Sequence, residues 1–84
     1  MVKTGNSARR FERPVVIRTD EGDRMIVDIN SAADVLLRAF PRETERRKAA
    51  MAACLGVLRG QAHPPVARRA FVSAALEVGI LASD

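Results

Sequence analysis

The chain has 84 residues, with 14 Lys and Arg against 10 Asp and Glu, giving a formal net charge of +4 and a pI near 10.6. That length sets one domain at most, with a core that is marginal unless packing is dense or a partner helps. Cys54 is the only cysteine, which excludes an internal disulfide framework and points to a reducing, cytoplasmic setting.

Met1 to Arg13 lack the apolar segment of a signal peptide, and no apolar stretch approaches the roughly 20 residues that span a bilayer, so no membrane is expected. Residues 1–10 hold little to bury and are expected to form a flexible arm ahead of a single domain over residues 11–84. From about Arg13 to Thr19 apolar residues alternate as in a strand, with Val15 and Ile17 on one face and Val16 and Arg18 on the other. Pro14 lacks an amide donor and suits a strand start or an edge. Asp20-Glu21-Gly22-Asp23 reads as a turn, and Arg24 to Ile29 as the return strand, with Met25, Val27 and Ile29 expected on one side.

Near Asn30 the period changes from two to 3.6. Ser31 with Asp34 resembles a capping box, and Ala33, Leu36, Leu37 and Phe40 are spaced for one helical face. Pro41 ends that helix. A second helix is expected from Arg42 or Glu43 to Arg59, with Met51, Leu55 and Leu58 as its main stripe, Ala50, Ala53 and Val57 opposite, and Gly60 as its cap. Pro64-Pro65 opens a third helix whose core face is Ala67, Phe71, Ala74, Ala75 and Val78. Gly79 ends it, leaving Ile80-Leu81-Ala82 either to pair as a third strand or simply to pack. The fold class is therefore α+β: an N-terminal β-hairpin, open to widening by the C-terminal tail, packed against three helices.

Side chains able to do chemistry are scattered along the chain. His63 is the single histidine and precedes a double proline, while metal sites and acid–base pairs recruit several positioned groups. Cys54 lies in the apolar half of a helix, where a thiol is inert. Asp20, Glu21 and Asp23 solvate a turn and lack the spacing of a calcium loop. Gly56 and Gly60 belong to no phosphate-binding loop, and with Ala52 they recur every four residues, a spacing that suits close helix packing. No catalytic residue, metal or cofactor is expected.

Arg46, Arg47, Arg68 and Arg69 are the candidates for contacts with anions or nucleic acid. The basic residues are interspersed with acidic ones, and the chain has no Trp or Tyr and only 3 Phe, which argues against a base-stacking platform. Val57, Val72 and Leu76 stand off the core faces and are the candidate interaction surface, for a homodimer or an unknown protein partner.

The order of these features carries a family resemblance. Phe11 with Pro14-Val15-Val16 leads into the hairpin, and Ala32-Ala33 and Leu36-Leu37 precede Phe40-Pro41. Ala50 and Cys54 come ahead of Leu58-Arg59-Gly60, followed by Ala67-Arg68, Ala70-Phe71, Ala74-Ala75, Glu77 and Gly79-Ile80. From Phe11 to Leu81 the chain resembles the domain of unknown function 982, short proteins of rhizobia and related alphaproteobacteria. Members often have Trp before the proline where this chain has Phe40. The resemblance implies a cytoplasmic bacterial protein of α+β type, and it transfers no activity and no catalytic residue. The expected function is a non-enzymatic interaction or regulatory module. Nucleic-acid binding through the arginines is the alternative, and an enzyme joining Asp28, His63 or Cys54 in one cleft is the third.

Overall fold

The turn at Asp20-Glu21 sets the register of everything around it. The structure is a computed structural model that describes residues 9–84, in which strand β1 (Arg10–Thr19) returns as strand β2 (Gly22–Asp28). Gly22 adopts φ of 108°, a region side chains avoid, and Thr19 Oγ1 donates to its carbonyl at 2.6 Å. The ladder then pairs Val15 with Ile26, Val16 with Met25 and Ile17 with Arg24. Directly opposed residues share a face, so Val15, Ile17 and Ile26 form the inner surface, and all three are buried.

This register decides which of the two faces of the return strand is the inner one. Ile26 enters the core, whereas Met25 points outward at 61% exposure and Val27 is half-buried. Apolar residues occupy both parities of Met25-Ile26-Val27, so periodicity was ambiguous and the turn decided. Ile29 is not strand at all; it begins helix α1 (Ile29–Arg38) and is buried there. Further upstream the β1–β2 register shifts between Arg10 and Val15, and Pro14 falls in that irregular stretch. Arg10 opens β1 and the Arg9 carbonyl accepts from Ile29 N at 2.9 Å, so these two residues belong to the fold; the rest of the expected arm lies outside the described residues.

Helix α1 follows β2 with no loop, because Asp28 caps it, accepting from Ser31 N at 2.8 Å. The cap thus sits three residues earlier than the Ser31–Asp34 reading, and Asp34 instead pairs with Arg38 at 2.9 Å and Arg24 at 3.8 Å. The buried face is Ile29, Ala32, Val35 and Leu36. Of the expected face only Leu36 is buried, since Ala33 is half-buried, Leu37 is 62% exposed and Phe40 lies beyond the helix, which ends at Arg38 before Pro41.

Helix α2 (Glu45–Leu58) is capped by Thr44, whose hydroxyl accepts from Arg47 N at 3.1 Å. Its inner face is Ala50, Cys54 and Val57, while Met51 and Leu58 are half-buried and Leu55 is exposed. The alanine side expected to lie opposite the main stripe is therefore the one that packs. Small side chains let helix α3 (Pro64–Glu77) approach closely, and α3 answers with Ala67, Phe71, Ala74 and Ala75. Phe40 tilts against Phe71 with ring centroids 6.2 Å apart. The tail forms strand β3 (Leu81–Ser83), antiparallel to β1, so the sheet order is β2-β1-β3. The core lies between the inner face of this sheet and the three helices.

Candidate functional site

The residues that could do chemistry sit on different elements of the fold. Cys54 is buried in α2, where burial pushes its thiol from 9.0 up to about 11, away from the reactive thiolate. His63 is the exposed N-cap of α3 and makes no side-chain capping bond. Asp28 caps α1, and Asp20, Glu21 and Asp23 are exposed in and beside the hairpin turn. Among the described residues no three His, Cys, Asp or Glu side chains are grouped to hold a metal ion. Gly56 lies beside Ala62, whose Cβ would be 3.5 Å from an added side chain, while Ala52 and Gly60 are exposed. Of the small-residue stripe, only Gly56 therefore meets a neighbour, at the turn from α2 towards α3.

The four singled-out arginines divide into two pairs. Arg47 Nε donates to the Leu36 carbonyl at 2.8 Å, tying α2 to α1. Arg68 is a clasp: Nε donates to Arg13 O at 2.9 Å, and Nη2 to Pro14 O at 3.2 Å and Asp84 O at 2.6 Å. It joins α3 to the irregular part of β1 and to the residue after β3, satisfying carbonyls that no ladder reaches. Arg46 and Arg69, by contrast, make no hydrogen bond or ion pair among those found in the described residues. Of the four candidate anion contacts, only these two have side chains without a partner among the described residues.

Both of them line the same open groove of about 350 Å³ between α2 and α3. Its floor is small and apolar: Ala49 from α2, with Val66, Ala70 and Ser73 from α3. Val66 is 47% exposed, and beyond Ser73 the same side of α3 continues to Leu76, 63% exposed. Val66, Arg69, Ser73 and Leu76 follow a three-four-three spacing, which keeps them on one side of the helix, away from Ala67, Phe71 and Ala74.

The expected interaction surface changes accordingly. Val57 is 7% exposed and belongs to the core, because the inner face of α2 is rotated towards its alanines; it leaves the surface. Val72 is half-buried, packed on the core at the rim of a neighbouring cleft with Arg13 and Arg68. Leu76 stays exposed. Sequence reasoning missed Val66, Ala49, Ala70 and Ser73. The three-four-three complement of the core face of α3 was a signal for Val66 and Ser73; nothing marked Ala49, since α2 is rich in alanine on every side.

A second apolar surface is the helix-free side of the sheet, where Val16 and Met25 are paired and Val27 is half-buried. No helix among the described residues is long and apolar enough to cross a membrane.

Residues 13–82 match the family described as "Protein of unknown function (DUF982)". The chain is also similar to the Agrobacterium tumefaciens protein Atu1219, a structural genomics target solved by NMR. The TM-score is 0.75 at 28% identity, covering 92% of this chain and 79% of that one. No curated protein matches the chain.

Proposed function

The chain belongs to the DUF982 family, whose description assigns no function, and from its surface we propose that it is a non-enzymatic protein-interaction module. The observation that carries this reading is the arginine-lined apolar groove between α2 and α3, continued by exposed Leu76. An open apolar strip rimmed by charge is the usual form of a surface that docks another protein. The non-enzymatic part of the reading is supported by Asp28 being engaged as a helix cap, Cys54 being buried and His63 being exposed. Among the described residues no hydrogen bond joins any two of them, and general acid–base or nucleophilic work needs groups within hydrogen-bond reach. A cytoplasmic setting fits the single unpaired thiol.

Nucleic-acid binding has less in its favour. Arg47 and Arg68 are engaged by backbone carbonyls, and Phe11 and Phe71 are buried, which leaves two of the four candidate arginines and only half-buried Phe40 for a nucleic acid to contact. Such binding would fall steeply with added salt.

The docking reading is tested by placing a photoreactive residue at Val66 or Leu76 in intact cells. Each should trap a discrete protein adduct, and the same residue at Met25 on the outer sheet face should not. Empty lanes from both helix positions remove the reading.

A further inference from the structure

Resting on that docking face, we propose that the groove receives an acidic amphipathic helix of a partner protein. One apolar side chain of the partner seats between Ala49 and Ala70, and its carboxylates meet Arg46 and Arg69.

The chemistry follows from what surrounds the groove. Six cations are answered within the fold: Arg38 and Arg24 by Asp34, Lys48 by Glu45, and Arg18, Arg47 and Arg68 by carbonyls. Exposed Arg10, Arg13, Arg42 and Arg59, like Arg46 and Arg69, have no such partner among the described residues, but none of those four lines this groove. Arg46 and Arg69 come one from each helix and border an apolar floor, with no acidic side chain lining it. The complement of that pattern is an apolar side chain with carboxylates beside it. Guanidinium groups bind carboxylates in paired, charge-assisted hydrogen bonds, which fix orientation as well as sign.

The shape argues for a helix in place of a small anion. Val66 and Leu76 are ten residues apart along α3, about 15 Å or three turns. Three-four-three spacing is the seam that a second helix reads, and small residues at its centre let the backbones approach within about 8–10 Å. A lone phosphate or carboxylate would use one arginine and leave the apolar strip uncovered. A second copy of the chain presenting the same face would set Arg46 and Arg69 against themselves across a two-fold axis, and like charges at an interface are repulsive. Charge thus selects a different, acidic protein.

The adducts trapped from Val66 and Leu76 decide the matter once the crosslinked segment is sequenced. Both positions should trap one protein, through a segment of net negative charge with apolar residues at helical spacing. Arg46→Glu with Arg69→Glu should cut the yield by about tenfold or more while thermal melting is unchanged. Reversing the partner's acidic residues to Lys should restore it. A neutral or basic trapped segment, a lipid adduct, a second copy of this chain, or a yield indifferent to charge reversal would overturn the acidic-helix proposal. Absence of any adduct would instead remove the docking reading beneath it.

Discussion

Arg68 and Arg69 are adjacent in sequence and about 100° apart around the same helix, and the fold treats them oppositely. Arg68 reaches across to three backbone carbonyls of β1 and the C-terminal residue; Arg69 stands over an apolar groove with no partner among the described residues. The division extends along the whole of α3. One side, Ala67, Phe71, Ala74 and Ala75, is sealed, and the other, Val66, Arg69, Ser73 and Leu76, is open. Folding accounts for the first set completely. The second set asks for another explanation, because an apolar strip in water contributes nothing to the stability of the monomer.

The contrast is broken most directly from the sealed side. Phe71 is fully buried and contacts Phe40, so Phe71→Ala should cost about 3–5 kcal/mol, a large share of what so small a domain possesses. A denaturant midpoint lowered by under about 1 kcal/mol equivalent would mean that the inner face is not the one the molecule depends on.

Much of this fold could be read from the residues before any coordinates, but not its phase. The hairpin was legible because Gly22 follows two acidic residues between alternating apolar runs, and α3 because Pro64-Pro65 and Gly79 bound it. Which side of β2 faces inward was not legible, since Met25, Ile26 and Val27 are all apolar and only the turn's register separates them. The same holds for α2. Leu55, placed on the main stripe, is exposed, while Ala50, placed on the opposite side, is buried, because close helix approach favours the smaller side chain. The groove shared this fate: its arginines were marked, yet that Arg46 and Arg69 meet while Arg47 and Arg68 turn inward depends on helix phase and on which carbonyls the irregular stretch of β1 leaves unpaired.

The buried side of α2 can be probed without changing a residue. Burial raises the Cys54 thiol from 9.0 to about 11, so the unfolded chain releases this proton before the folded one does. Stability is therefore unaffected by this group below pH 9, falls through the window, and levels off near pH 11. The total loss is about 3 kcal/mol. Cys54→Ala should lower the baseline modestly through a small cavity and remove the slope between about pH 9 and 11. A wild-type protein whose stability is level across that range would place the thiol in contact with solvent.

Replacing each of the adjacent arginines sharpens the comparison at its centre. Arg68→Ala removes three bonds to carbonyls, and at this partly exposed site should cost about 1–2 kcal/mol. Arg68→Lys should recover only part of that, because an ammonium cannot fork to carbonyls on two segments. Arg69→Ala should stay within about 0.5 kcal/mol of the parent. Equal losses at the two positions would erase the distinction between clasp and free cation.

The smallest expected effect bears most on function. Leu76 is 63% exposed, so Leu76→Gln, which keeps a good helix former, should change stability by no more than about 0.5 kcal/mol. On the docking reading, this side chain serves contact with another molecule and not the stability of the monomer. The measurement is paired: the melting temperature should hold while the adduct trapped from Val66 weakens. If Leu76→Gln lowers stability by more than about 1.5 kcal/mol, the side chain is packed in solution, and the open strip on α3 ends at Ser73, too short to seat a helix.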